Sequence, residues 1–153
     1  MYFIYVLGPA GSGKSYLTYA LKSWLEDRGL DAIAVNLDPA ASWLPYTADV
    51  DIRNYITVDE VMNRYNLGPN GGLAVAIDLS IDYVDKLIEE IEGFKPNYVI
   101  VDTPGQMEVF AFRSSGPTLI SMLTGNNKAA ALFLVEAYQV LRPSIFLSIL
   151  TLS

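Results

Sequence analysis

Residues 8–15 read Gly8-Pro9-Ala10-Gly11-Ser12-Gly13-Lys14-Ser15, a G-x-x-x-x-G-K-[ST] spacing that follows an apolar run and opens a helical one. The pattern carries a specific chemistry. Glycines let the main chain wrap around a phosphate with its N–H groups turned inward. The helix behind them adds unpaired N–H groups and the positive end of its dipole. Lys14 supplies a point charge for the β- and γ-phosphates, and the Ser15 hydroxyl is placed to ligate Mg²⁺. Every residue from Gly8 to Ser15 is thus a candidate for phosphate binding. The competing reading is a flexible glycine turn that happens to contain Lys-Ser, and the flanking strand and helix weigh against it.

A second set of residues carries the opposite charge. Tyr98-Val99-Ile100-Val101 is an apolar strand tipped by Asp102, and a dry strand end is a poor place for a lone carboxylate unless a cation meets it. Mg²⁺ would do so, through one of its retained waters. In the following Thr103-Pro104-Gly105-Gln106, Gly105 can offer its N–H to a γ-phosphate. Gln106 occupies the place where Ras-like GTPases keep the glutamine that orients attacking water. Glu108, two residues on, is a candidate to hold that glutamine or the water; the alternative for both is a solvated loop. Asp38 precedes Pro39, which restricts it to an extended conformation. It reads either as a second carboxylate near Mg²⁺, or as a polarising base for the lytic water, or as a plain turn-initiating Asp-Pro. Glu136 receives no role.

These residues need a scaffold that brings them together. Short β-rich runs alternate with helical periodicity, which implies βαβ units and a mainly parallel sheet covered on both faces, a three-layer αβα fold. Strands are expected at Tyr2–Leu7, Ala32–Leu37, Tyr98–Val101 and Ala130–Val135. Leu17, Ala20, Leu21, Trp24 and Leu25 recur at helical spacing up to Gly29, and Ile81, Val84, Leu87, Ile88 and Ile91 form another stripe stopped by Gly93 and Pro96. Asp38 to Gly72 reads as irregular apart from one short helix around Val58–Tyr65. Pro117–Leu123 reads as a short helix, and Pro143 opens a last one. All strand C-termini of a parallel sheet lie on one edge, where ligands bind. Gly8, Asp38, Asp102 and Glu136 each follow a strand and are therefore expected to converge.

Composition narrows the classes. The 153 residues are 52% hydrophobic and 18% charged, which predicts one domain with a well-filled core. The formal charge of −7 argues against nucleic acid as a direct ligand, because displacing counterions needs a basic face. An anionic nucleotide must instead be held by local amides, one lysine and a metal. Neither cysteine nor histidine is present, which excludes disulfides, Cys/His zinc sites and any Ser–His or Cys–His nucleophile. No targeting segment is visible and Ile145–Leu152 is far too short to span a bilayer, so a cytoplasmic protein away from membranes is expected.

Gly68-Pro69-Asn70-Gly71-Gly72 alone is an ordinary tight turn. Together with the glycine loop, Asp38-Pro39-Ala40, Asp51-Ile52-Arg53 and Asp102-Thr103-Pro104-Gly105-Gln106-Met107-Glu108, in this order, it resembles the GPN-loop GTPases over residues 1 to about 135. That family belongs to the dimerising SIMIBI class of P-loop NTPases, with the MinD-like ATPases and the signal-recognition GTPases. The resemblance implies Mg²⁺-dependent hydrolysis of GTP by a homodimer in which each Gly-Pro-Asn turn, through Asn70, reaches the partner's phosphate region. It also implies a switch that assists assembly of other protein complexes. Many MinD-like relatives carry a lysine five positions before the loop lysine; here that position is Pro9. Neither phosphate loop contains an arginine, so slow, switch-like turnover is expected. Family members continue with an N/T-K-x-D motif whose Asp reads guanine. The 153 residues contain none, and the half-written apolar helix at Ile145–Leu152 reads as the mark of a shortened chain. Guanine preference over adenine therefore rests on likeness, with an ATPase of the same class or a non-catalytic nucleotide-gated assembly module as alternatives.

Overall fold

The computed structural model describes residues 1–106, 110 and 113–137. Its centre is a parallel five-stranded sheet in the order β3-β2-β4-β1-β5. The strands are β1 (Tyr2–Leu7), β2 (Ala32–Asn36), β3 (Val50–Asp51), β4 (Tyr98–Asp102) and β5 (Lys128–Phe133). The helices are α1 (Lys14–Glu26), α2 (Val58–Tyr65), α3 (Pro69–Ser80), α4 (Val84–Phe94) and α5 (Ser115–Thr124), with single 3₁₀ turns at Ile52–Asn54 and Ile81–Tyr83. Register sets the working edge: Val6 pairs with Asp102, and Asp102 with Asn36. The chain thus leaves β1, β2 and β4 at one level, into Gly8, Leu37 and Thr103.

Burial separates the two faces. Phe3, Tyr5, Val99 and Val101 point into a core with Leu73, Ile77, Leu87, Ile91 and Leu119 from α3, α4 and α5. Val6 and Ile100, on the other face, meet Leu25 of α1, with Leu17 and Leu21 packed alongside. The result is the three-layer αβα arrangement that the βα alternation implies. No helix among the described residues is long and apolar enough to cross a membrane.

Several expectations needed correction. Trp24, assigned to the apolar stripe of α1, is 50% exposed and instead carries the Arg28 guanidinium 3.7 Å above its ring. Ala20 is exposed as well, while Leu17, Leu21 and Leu25 of the stripe do pack against the sheet, beside the buried Lys14 and Thr18. The stretch read as irregular contains β3 and the first turn of α3 besides α2. The Gly-Pro-Asn segment is not a free turn but the start of α3: Gly68 is the N-cap, Pro69 stands in the first turn, and Gly72 N–H donates to Gly68 O at 2.8 Å. Gly72 is tolerated there because a Cβ would lie 2.4 Å from Met62 Cγ of α2, so close helix packing offsets poor helix propensity. The last strand runs from Lys128 to Phe133 rather than from Ala130 to Val135, which leaves Glu136 beyond its end. Glu108 and the helix expected from Pro143 lie outside the described residues.

Local chemistry explains the elements that match. Around α2, Thr57 and Glu60 form a reciprocal capping box, and Asn66 closes the helix in the left-handed conformation at φ 52°. Further on, α5 packs so tightly at Gly116 that a Cβ would stand 1.9 Å from the Phe110 carbonyl oxygen. Backbone on both sides leaves no flexible group to yield, so Gly116→Ala is expected to destabilise by about 3 kcal/mol. Urea unfolding should show it as a lowered midpoint at unchanged slope.

Candidate functional site

The phosphate-loop candidate has the backbone its sequence requires. Gly8, Gly11 and Gly13 have φ of 147°, 80° and 92°, conformations that residues with a Cβ rarely adopt. At Gly8 a Cβ would also lie 2.6 Å from Leu134 O and 2.8 Å from Ser12 Oγ. α1 starts without a capping side chain, so its first N–H groups remain available to an anion. Ser12 Oγ is buried without a hydrogen-bond partner, a polar atom that a phosphate oxygen would satisfy. Lys14 is 7% exposed and donates from Nζ to Pro9 O at 2.9 Å across the loop. Burial pulls its pKa down, while Asp102 and Asp38 oppose that shift. The ammonium group is thus held inside the loop with carboxylates nearby.

Asp102 is 2% exposed at the tip of β4. Burial pushes its pKa up, and the Ser15 and Tyr46 hydroxyls, Lys14 and the Thr103 N–H oppose the shift. One oxygen, Oδ2, accepts from the Tyr46 hydroxyl at 3.0 Å; Oδ1 is buried with no partner. That orphaned oxygen, with the Ser15 hydroxyl close by, fits a hard cation that keeps part of its water shell. Among the described residues, no group of three or more acidic, Cys or His side chains could hold a metal alone. The ion would have to be completed by the Ser15 hydroxyl, water and phosphate.

Asp38 is brought to the same edge. Its pKa is raised by burial, with the Ala40 N–H opposing and Asp102 adding to the rise. The buried Asn36 shapes this turn: Oδ1 accepts from Asp38 N at 3.0 Å, and Nδ2 donates to Asp51 Oδ1 at 2.9 Å. Asp51 in turn takes Arg53 in a forked pair, with Nη2 to Oδ2 at 2.6 Å, and Arg53 Nη1 reaches Ala41 O at 2.7 Å. Asp51 is held below the ordinary carboxylate range by Arg53 and Asn36, against the upward push of burial. Gly105 lies against the phosphate loop, its hypothetical Cβ 2.8 Å from Ala10 Cα and 3.1 Å from Lys14 Nζ.

Lys14, Asp38, Asp102 and Gly105 are therefore brought together. Gln106 is exposed beside Gly105. Asn70 is exposed in the first turn of α3, whose chief packing partners are α2 and α5. Tyr46 and Asn36 were missed by sequence reasoning. An aromatic residue in an irregular stretch carries no periodic signal, and only the fold shows that it reaches Asp102.

A glycine loop after a central strand, facing an acid on the neighbouring strand of an αβα sheet, places the chain in the P-loop NTPase class. A family model described as "Conserved hypothetical ATP binding protein" matches residues 6–153. The chain belongs to that family, the family of the GPN-loop GTPases. It is 37% identical over 147 residues to GPN-loop GTPase 1 of Dictyostelium discoideum, covering 95% of this chain and 37% of that protein. To GPN-loop GTPase 3 of Saccharomyces cerevisiae it is 40% identical over 147 residues, covering 95% of this chain and 54% of the relative. The structure is similar to that of a GTPase in apo form from Pyrococcus abyssi, at a TM-score of 0.81 and 31% identity over 95% of this chain and 58% of that one. The chain thus spans roughly half the length, or less, of these relatives.

Proposed function

We propose that the protein is a Mg²⁺-dependent GTPase, hydrolysing GTP to GDP and phosphate as a homodimeric switch that assists assembly of other proteins. The observation that carries this reading is the buried Lys14 ammonium, held across the glycine loop at 2.9 Å from Pro9 O and flanked by Asp102 and Asp38. Its support from relatives is that they bear the name GTPase. The N–H groups of the Gly8–Ser15 loop, Pro9 excepted, and of Gly105 bind and orient the phosphates. Ser15 and Asp102 would hold Mg²⁺, with Asp38 either beside it or polarising the attacking water. Bound there, the ion would spread the negative charge of the β- and γ-oxygens. Gln106 orients the water and Glu108 supports it.

Asn70 acts in the partner's site. Its exposure at the rigid, Pro69-fixed start of α3 suits a group presented outward, since little ordering entropy is lost on docking. Asn70→Ala is expected to slow single-turnover hydrolysis by about 10–100-fold with nucleotide affinity almost unchanged. A wild-type rate would remove Asn70 from the reaction.

The function is tested by single-turnover GTP hydrolysis with and without Mg²⁺. Phosphate release that requires Mg²⁺ supports the reading; tight binding without any release supports the non-catalytic module. The family description names ATP, which favours a second reading with adenine as the base. Displacement of bound GTP by ATP at equal concentration would establish it.

A further inference from the structure

Between β2 and β3 the chain follows an irregular path over residues 37–49, fixed near both ends. Arg53 Nη1 holds Ala41 O at 2.7 Å. Asp49 N–H donates to Ala34 O at 2.9 Å, and the Asp49 carboxylate accepts from Lys22 Nζ at 2.6 Å and from Ala34 N at 2.8 Å. Tyr46 lies between these anchors. Its hydroxyl donates to Asp102 Oδ2 at 3.0 Å, a contact across 56 positions of sequence. The other oxygen of the same carboxylate, Oδ1, is buried and unpartnered.

We propose that Tyr46 is a positioning residue for the metal site: by holding Oδ2, it keeps Oδ1 of Asp102 turned toward the coordination sphere of magnesium. The proposal rests on the nucleotide reading above and deepens it. An aspartate carboxylate turns easily about its last torsion, whose minima are broad. Without Tyr46 this carboxylate, 2% exposed, would keep the Ser15 hydroxyl and the Thr103 N–H beside it but lose the donor fixed on Oδ2, and the nearby lysine would draw it round. A donor on one oxygen removes this freedom and leaves the second oxygen directed. A phenol suits the task better than an arginine or a lysine, because a neutral donor preserves the full negative charge for the cation. Groups that hold a metal-facing side chain in this way typically change metal affinity 10–100-fold when removed.

The experiment measures GDP binding by calorimetry across a magnesium series and in EDTA, for the wild type, Tyr46→Phe, Asp102→Asn and the double variant. Tyr46→Phe keeps the ring and deletes the donor alone. Its apparent magnesium affinity in the GDP complex is expected to fall about tenfold, while GDP affinity in EDTA stays within about twofold. In the Asp102→Asn background, the same substitution should add nothing, because its effect passes through that carboxylate. Wild-type magnesium affinity in Tyr46→Phe overturns the proposal. So does an equal loss in EDTA, which would mark a collapsed loop, or an independent loss in the double variant. A wild-type protein whose GDP binding ignores magnesium overturns both this proposal and the function on which it rests.

Discussion

Lys14→Ala is expected to lower GTP affinity more than about a hundredfold, which amounts to loss of binding at micromolar nucleotide. The side chain is the one ammonium group inside the glycine loop, 7% exposed and bonded to Pro9 O. Its charged form is kept in a desolvated place by Asp102 and Asp38, so the loop already contains the cation before any phosphate arrives. Removing it leaves those carboxylates facing a polyanion across a dry gap, and like charges in such surroundings repel strongly. Amides alone cannot offset that. The folded chain should persist, because the hydrophobic layers on both sheet faces do not depend on this residue. Calorimetry with GTP and Mg²⁺, beside circular dichroism for the fold, would check both halves. Binding within threefold of the wild type would mean that the phosphates rest elsewhere.

Some of this organisation is legible in the amino-acid sequence, for identifiable reasons. β1 and β4 are apolar runs that end abruptly in a glycine and in an acid, and the structure ends both strands there. The capping box made the boundaries of α2 local property, independent of the tertiary fold. β3 was invisible because it is two residues long, too short for any alternation, and exists only through its pairing with Val35 and Asn36. The beginning of α3 was obscured by its own composition. Gly68, Pro69, Asn70, Gly71 and Gly72 all favour turns, and the helix forms there because Gly72 packs against Met62 and Val58. Trp24 was misplaced because helical spacing identifies a stripe but not its width.

The site divides in the same manner. Lys14, Asp102 and Asp38 were legible since strand ends of a parallel sheet share an edge. Tyr46 and the bond from Asn36 to Asp51 were not, because each acts across the fold rather than along the chain. Sequence motifs record the groups that touch a ligand at fixed spacing. The groups that hold those in place come from wherever the fold passes nearby.

Gly105→Ala is the second large effect, and it isolates a steric cause. Gly105 does not need the left-handed conformation, so alanine meets no backbone strain. The added carbon would instead lie 2.8 Å from Ala10 Cα and 3.1 Å from Lys14 Nζ. At Gly72 the nearest obstacle is the Met62 side chain, which has rotatable bonds by which it can yield at a cost. At Gly105 the obstacle is main chain of the phosphate loop itself, and relief requires parting the loop from the strand that carries Asp102. A displacement of about 1 Å between reacting groups costs on the order of a hundredfold in rate. Single-turnover GTP hydrolysis is therefore expected to fall by about a hundredfold, with GTP affinity weakened more than GDP affinity, because the approach lies where a terminal phosphate would be held. Hydrolysis within threefold of wild type would show that the two segments separate freely and that Gly105 sets no distance in the reaction.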